Sequence, residues 1–166
     1  PGKYGGSLEN RTRLLRESVQ GAIQRCGSDF IVSSRMNVYD GFPYPYGFGV
    51  KEGQGTEMDL SEAAWLVEQL RSYGVEILNI TMGNPYKNPH VNRPYRKGGY
   101  EPPEAADRGL ARFEYIEKHI KEKLPTLTVV GSGLSYYRDD LIEQSERQLR
   151  EGICDLVGYG RMWLAY

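Results

Sequence analysis

"TLTVVGSG" (residues 126–133), "RDDLIEQSERQLREG" (138–152) and "ICDLVGY" (153–159) stand almost end to end in this chain. An apolar run closing on glycines, an amphipathic helical pattern and a second apolar run make a strand–helix–strand unit. Two strands joined through a helix lie parallel, with a right-handed crossover. This unit decides the fold class, because the same alternation recurs upstream.

Ser7 opens a helical pattern whose apolar residues Leu8, Leu15, Val19, Ala22, Ile23 and Cys26 keep a period near 3.6, and Gly27 closes it. "DFIVSSRMN" (29–37) reads as a strand, and residues 38–58 show no periodicity. Asp59-Leu60-Ser61-Glu62 has the form of a capping box and begins a helix that Gly74 stops. "VEILNIT" (75–81) is the next strand. A second irregular stretch (82–102) leads to a long helix from about Pro103 to Leu124. The expected architecture is α/β: four β–α units in a single domain over residues 1–166, either a doubly wound sheet or a parallel half-barrel, since four units are half of an eight-stranded barrel. A closed eight-stranded barrel needs about 250 residues. No Gly-x-Gly-x-x-Gly follows the first strand, so a dinucleotide-binding sheet lacks its usual fingerprint.

The links between elements are unequal. Helix-to-strand links are minimal (Gly27-Ser28, Gly74, Pro125, Gly152), whereas two strand-to-helix links run to about 20 residues. In parallel α/β proteins the strand-to-helix loops all emerge on the face that carries function. Long loops on that face alone are an enzyme-like asymmetry.

Bulk composition adds exclusions. A net charge of −1 gives no general attraction to nucleic acid or to anionic membrane. No apolar run approaches the roughly 20 residues that span a bilayer. Cys26 and Cys154 are expected to be buried thiols, which fits a reducing, cytoplasmic setting. Two histidines and two scattered cysteines do not make a metal site. The chain begins at Pro1 without a Met, which suggests a missing N-terminal part.

Three features could carry chemistry. Arg35 ends the first strand, on the face of Ile31 and Ser33. It pairs there with a carboxylate or snorkels to the rim, or else points at a ligand that is or becomes negative. Gly131 and Gly133 bracket the end of the third strand, and Gly158-Tyr159-Gly160-Arg161 repeats the design one unit later. Glycine is common in tight strand-to-helix turns. Two consecutive glycine corners beside Arg161, however, favour an amide-lined phosphate cradle, the usual phosphate position in barrels. His90, in the second long loop, serves either as a substrate contact or as loop packing; His119 is expected at the surface.

In order along the chain, "KYGGSLENRTRLLRESV", "SSRMNVYDG", "TVVGSG" and "DLVGYGRMWLAY" resemble the C-terminal half of Old Yellow Enzyme family flavoproteins, the NADH:flavin oxidoreductase/2,4-dienoyl-CoA reductase type. The resemblance spans nearly all of the chain. It implies a (β/α)8 TIM barrel holding FMN, with these four strands as its fifth to eighth. Arg35 would then sit by the pyrimidine side of the flavin, and Gly131, Gly133, Gly158, Gly160 and Arg161 would hold the FMN phosphate. Ser132 stands where many members carry glycine. The family's substrate-binding His/Asn or His/His pair and its proton-donating tyrosine precede "YGGSLENR" and have no counterpart here.

The resemblance thus implies part of an FMN-dependent NAD(P)H oxidoreductase that reduces activated C=C bonds such as those of enones or 2-enoyl thioesters. The partners it implies are an N-terminal half-barrel and a small-molecule alkene. The alternative is a non-catalytic half-barrel that binds phosphate or FMN weakly and self-associates through open strand edges and an exposed apolar interior.

Overall fold

A computed structural model describes residues 2–96 and 99–164, the Arg161 side chain apart. Its helices are α1 (Leu8–Arg11), α2 (Arg13–Cys26), α3 (Ser61–Tyr73), α4 (Pro89–Asn92), α5 (Ala106–Lys123) and α6 (Leu141–Arg150). Its strands are β1 (Ser34–Asn37), β2 (Ile77–Thr81), β3 (Thr128–Gly131) and β4 (Leu156–Val157). The four strands form one sheet in the order β1-β2-β3-β4, every pair parallel. The fold is a parallel β/α half-barrel.

The strand register puts one row of residues straight across the sheet: Arg35 opposite Asn79, Asn79 opposite Val130, Val130 opposite Leu156. Side chains alternate along a strand, so this row shares one face. The neighbouring positions Met36, Leu78, Ile80 and Val129 are buried on the other face, under the helices. There they pack with Ala63, Val67 and Leu70 of α3 and with Phe113, Ile116 and Ile120 of α5. The inner face is mixed, carrying Arg35, Asn37, Asn79, Thr81 and Thr128 together with Ile77, Val130 and Leu156. Part of the expected apolar interior is thus present in Val130 and Leu156, and Phe30, Ile31 and Leu156 are uncovered at the sheet margins.

Other expectations shift for local reasons. The strand expected over 29–37 pairs only from Ser34 onward, and the strand expected over 153–159 shortens to two residues, since each has a single neighbour. The first helix is two, broken at Thr12, whose hydroxyl bonds back to the Leu8 carbonyl at 2.8 Å. Cys26 is exposed, not buried, because α2 turns only a narrow stripe inward; Cys154 is buried.

The capping box is not formed. Asp59 Oδ1 instead accepts the Ser61 amide at 2.9 Å, and Glu62 pairs with Arg11 at 2.6 Å. The last helix is preceded by a 3-10 turn (Leu134–Asp140) that is kinked at Arg138, with φ 58° and ψ −113°. Among the described residues no helix is long and apolar enough to cross a membrane.

Candidate functional site

The sequence pattern of β1 and β2 puts polar side chains on the inner face, and the turns after β3 and β4 close over the same space. The result is a cleft of about 1050 Å³ at the C-terminal ends of the strands. Arg35 enters it from β1, Asn79 and Thr81 from β2, Ser132 and Gly133 from the turn after β3. Gly158 and Gly160 enter from the turn after β4. Arg35 and both glycine corners therefore share one cavity.

Each corner is built differently. Gly133 has a φ of +82°, and a Cβ there would lie 2.8 Å from the Phe113 ring, so backbone and packing both demand glycine. Gly158 passes so close to β3 that a Cβ would stand 2.9 Å from the Gly131 carbonyl, whose oxygen accepts the Gly158 amide. Gly160 has open space around its Cβ position. The Tyr159 hydroxyl donates to Ser145 Oγ at 2.6 Å, Ser145 having given its own hydrogen to the Leu141 carbonyl. That bond ties the second corner to α6.

Gly131 departs from expectation. It is buried with its missing side chain directed at the helix layer, where a Cβ would meet Cys154 Sγ at 3.0 Å and Glu117 Oε2 at 3.1 Å. Strand alternation is the reason, since Val130 and Ser132 take the inner face. His90 does not line the cleft either: its Nδ1 and its backbone amide meet the Tyr100 hydroxyl at 2.7 and 3.2 Å. The backbone of Arg161 opens a 3-10 turn, while its side chain lies outside the described residues.

Several lining residues escape the motif reading. Arg93 and Arg138 join Arg35 at the cleft, against the one acid Asp139, so a chain of near-zero net charge concentrates cations here. Asn79 Nδ2 donates to the Val130 carbonyl at 3.0 Å and to Ser132 Oγ at 2.9 Å. The Ser132 oxygen is thus an acceptor toward Asn79, and its hydrogen remains for the cleft. An asparagine in a β-strand followed one residue later by isoleucine was the available signal, since a polar group amid apolar strand residues needs a partner. The arginines lie in irregular segments, where no periodicity predicts direction.

These residues have the chemistry to hold an anionic group such as a phosphate. Ser132 offers a hydroxyl, two glycine corners bring backbone amides to the rim, and Arg35 stands deeper in the inner row. The volume is that of a small-molecule site.

No protein-family model matches the chain. It is 29% identical to the cinnamate reductase of Clostridium sporogenes and 25% identical to the bilirubin reductase of Mediterraneibacter gnavus, each over 98% of its own length. The chain spans 22% of either relative. Among solved structures, the Old Yellow Enzyme homologue from Zymomonas mobilis superposes with a TM-score of 0.55 at 18% identity. That match covers 96% of this chain and 35% of the homologue. Along nearly its whole length, the chain is therefore similar in sequence to two named reductases and in fold to part of an Old Yellow Enzyme barrel, the resemblance its motifs announce.

Proposed function

We propose that this chain supplies the phosphate corner and the ring-facing arginine of an FMN-dependent NAD(P)H oxidoreductase that reduces activated C=C bonds. The observation that carries this reading is the meeting of Arg35 with both glycine corners in one cation-rich cleft. FMN, when bound, supplies hydride transfer between the nicotinamide and the alkene.

The chain's own residues position and stabilise. The guanidinium of Arg35 cannot lose its proton and offsets negative charge collecting on the reduced ring. Ser132, Gly133 and Gly160 face the phosphate, and Arg161 completes their grip. Asn79, beside Arg35 in the inner row, holds the first corner to the sheet. An N-terminal half-barrel of the same type supplies the remaining strands and the groups that contact the substrate carbonyl.

The test is the absorbance of the purified chain near the flavin bands, with and without added FMN. Yellow colour retained through gel filtration is the expected result. In the whole enzyme, alanine substitution separates the roles: Arg35→Ala should weaken flavin reduction more than phosphate grip, and Arg161→Ala the reverse. Equal loss in both would contradict the assignment. A second reading, a non-catalytic scaffold that self-associates, is favoured by the exposed Phe30 and Ile31 at one sheet margin and Leu156 at the other. Colourless protein eluting as a dimer would support it.

A further inference from the structure

Behind the β3 turn, on the helix side of the sheet, lies a carboxyl group with no evident use. Glu117 of α5 is fully buried, the one acidic side chain so placed among the described residues. Its Oε1 accepts the Ser132 amide at 2.7 Å. Its Oε2 has no hydrogen-bond partner and faces the gap left by Gly131, beside the Cys154 thiol.

No cation faces it. Glu114, one turn earlier on α5, is itself held by Tyr137, Arg147 and Gln148. From the β4 side, Asp155 is paired with Lys121 at 2.8 Å, and the neighbouring thiol of Cys154 is pushed up by burial to about 11.

We propose that Glu117 is a positioning residue for a phosphate monoester in the cleft. It withdraws the Ser132 amide from the ligand, fixes the back of the Ser132–Gly133 turn and leaves the Ser132 hydroxyl as the donor that meets the anion. This rests on the flavin-phosphate reading above and adds a residue outside the cleft lining.

The arrangement has a consequence that a merely structural contact lacks. Burial raises the Glu117 carboxyl to about 8, so near neutrality it carries a proton and sets no charge behind the corner. Once ionised, it puts a desolvated negative charge behind the turn that faces the phosphate, and like charges in such a setting repel strongly. Phosphate monoesters titrate near pH 6 and are dianions above it. Their own ionisation therefore cannot weaken binding between pH 7 and 9.

The experiment is a titration of this chain with FMN, and in parallel with riboflavin, at pH 7 and pH 9. It compares the wild type with Glu117→Gln and Glu117→Leu, and circular dichroism checks each fold. FMN affinity of the wild type should fall roughly tenfold between the two pH values. Glu117→Gln, which keeps an acceptor for Ser132, should match the wild type at pH 7 and lose that fall. Glu117→Leu, which strands the Ser132 amide, should bind FMN about tenfold more weakly at both pH values. Riboflavin should bind all three alike.

The same pH dependence in the wild type and Glu117→Gln would overturn the proposal, as would parallel losses for riboflavin. If Glu117→Leu fails to fold, the Glu117→Gln profile decides. A wild type that binds neither flavin overturns the flavin reading itself. One that binds FMN indifferently to residue 117 overturns only this role.

Discussion

Glu117 also shapes the stability of the fold. Its carboxyl is raised from 4.5 to about 8, chiefly by burial, with the Ser132 amide pulling the other way. As pH rises through that interval the unfolded chain releases this proton while the folded chain keeps it, so stability declines. The decline levels off above about 8, where both states are ionised. Thermal melts from pH 5 to 9 should show the loss in the wild type, worth a few kcal/mol at most. Glu117→Gln should remove it. A parallel decline in the variant would place the titration elsewhere.

Sequence pattern could not reveal this residue. A glutamate in a charged helix, followed directly by Lys118, reads as a solvated position, and the space left by Gly131 admits it to the interior. The direction of Gly131 was equally hidden. Period two sets it opposite Val130 and Ser132, but the register against Asn79 decides which set faces inward. The place of Arg35, at the end of its strand on the face that lines the cleft, was legible by period two.

At the scale of elements, the two long loops after β1 and β2 are joined by one side chain. Asn88, buried just ahead of α4, donates through Nδ2 to the carbonyls of Asp40 at 2.8 Å and Gly41 at 3.2 Å. Its Oδ1 accepts the Asn84 amide at 2.8 Å. Asp40 in turn accepts from Phe48 N and from Asn37, at the end of β1. Asn88→Ala leaves two carbonyls and an amide unpaired in a half-buried setting. It should cost about 1–3 kcal/mol in denaturant unfolding and open the loops to limited proteolysis. Unchanged cleavage would mean that the loops are held by other contacts.

Loop length was readable from the sequence, and so was the face on which the loops gather. The asparagine bridge was not, because it links residues 47 and 48 positions apart. The lead-in to α5 is anchored likewise. Arg112 grips Glu104 through two bonds, at 2.8 and 2.6 Å, and lies over the Tyr39 ring. The helix therefore begins at Ala106, three residues later than the pattern suggests.

For the whole molecule, the alternation of strands and helices was enough to establish a parallel half-barrel, since each β–α unit states its own handedness. The strands' Val and Ile divide between the two faces, Ile80 and Val129 toward the helices and Ile77 and Val130 inward, and composition alone does not state that division. The free margins predict behaviour in solution. An uncovered strand edge offers unpaired backbone groups to any extended chain, and charged residues blunt it. Sedimentation should show concentration-dependent association of the wild type that Leu156→Lys reduces. Association unaltered by that change would locate the contact away from β4.

The inner row adds a polarity that the strand order alone does not have. Read from one margin to the other it runs from a cation through an amide to hydrocarbon, Arg35 to Leu156. A second copy brought up head to tail would set its β4 margin, with the exposed Leu156, against the β1 margin that carries Arg35, oil against charge. A foreign strand bearing a polar residue at that height would be the better neighbour. The gradient therefore discriminates against like-with-like closure, and any homotypic assembly should be loose and give way when a complementary half is supplied.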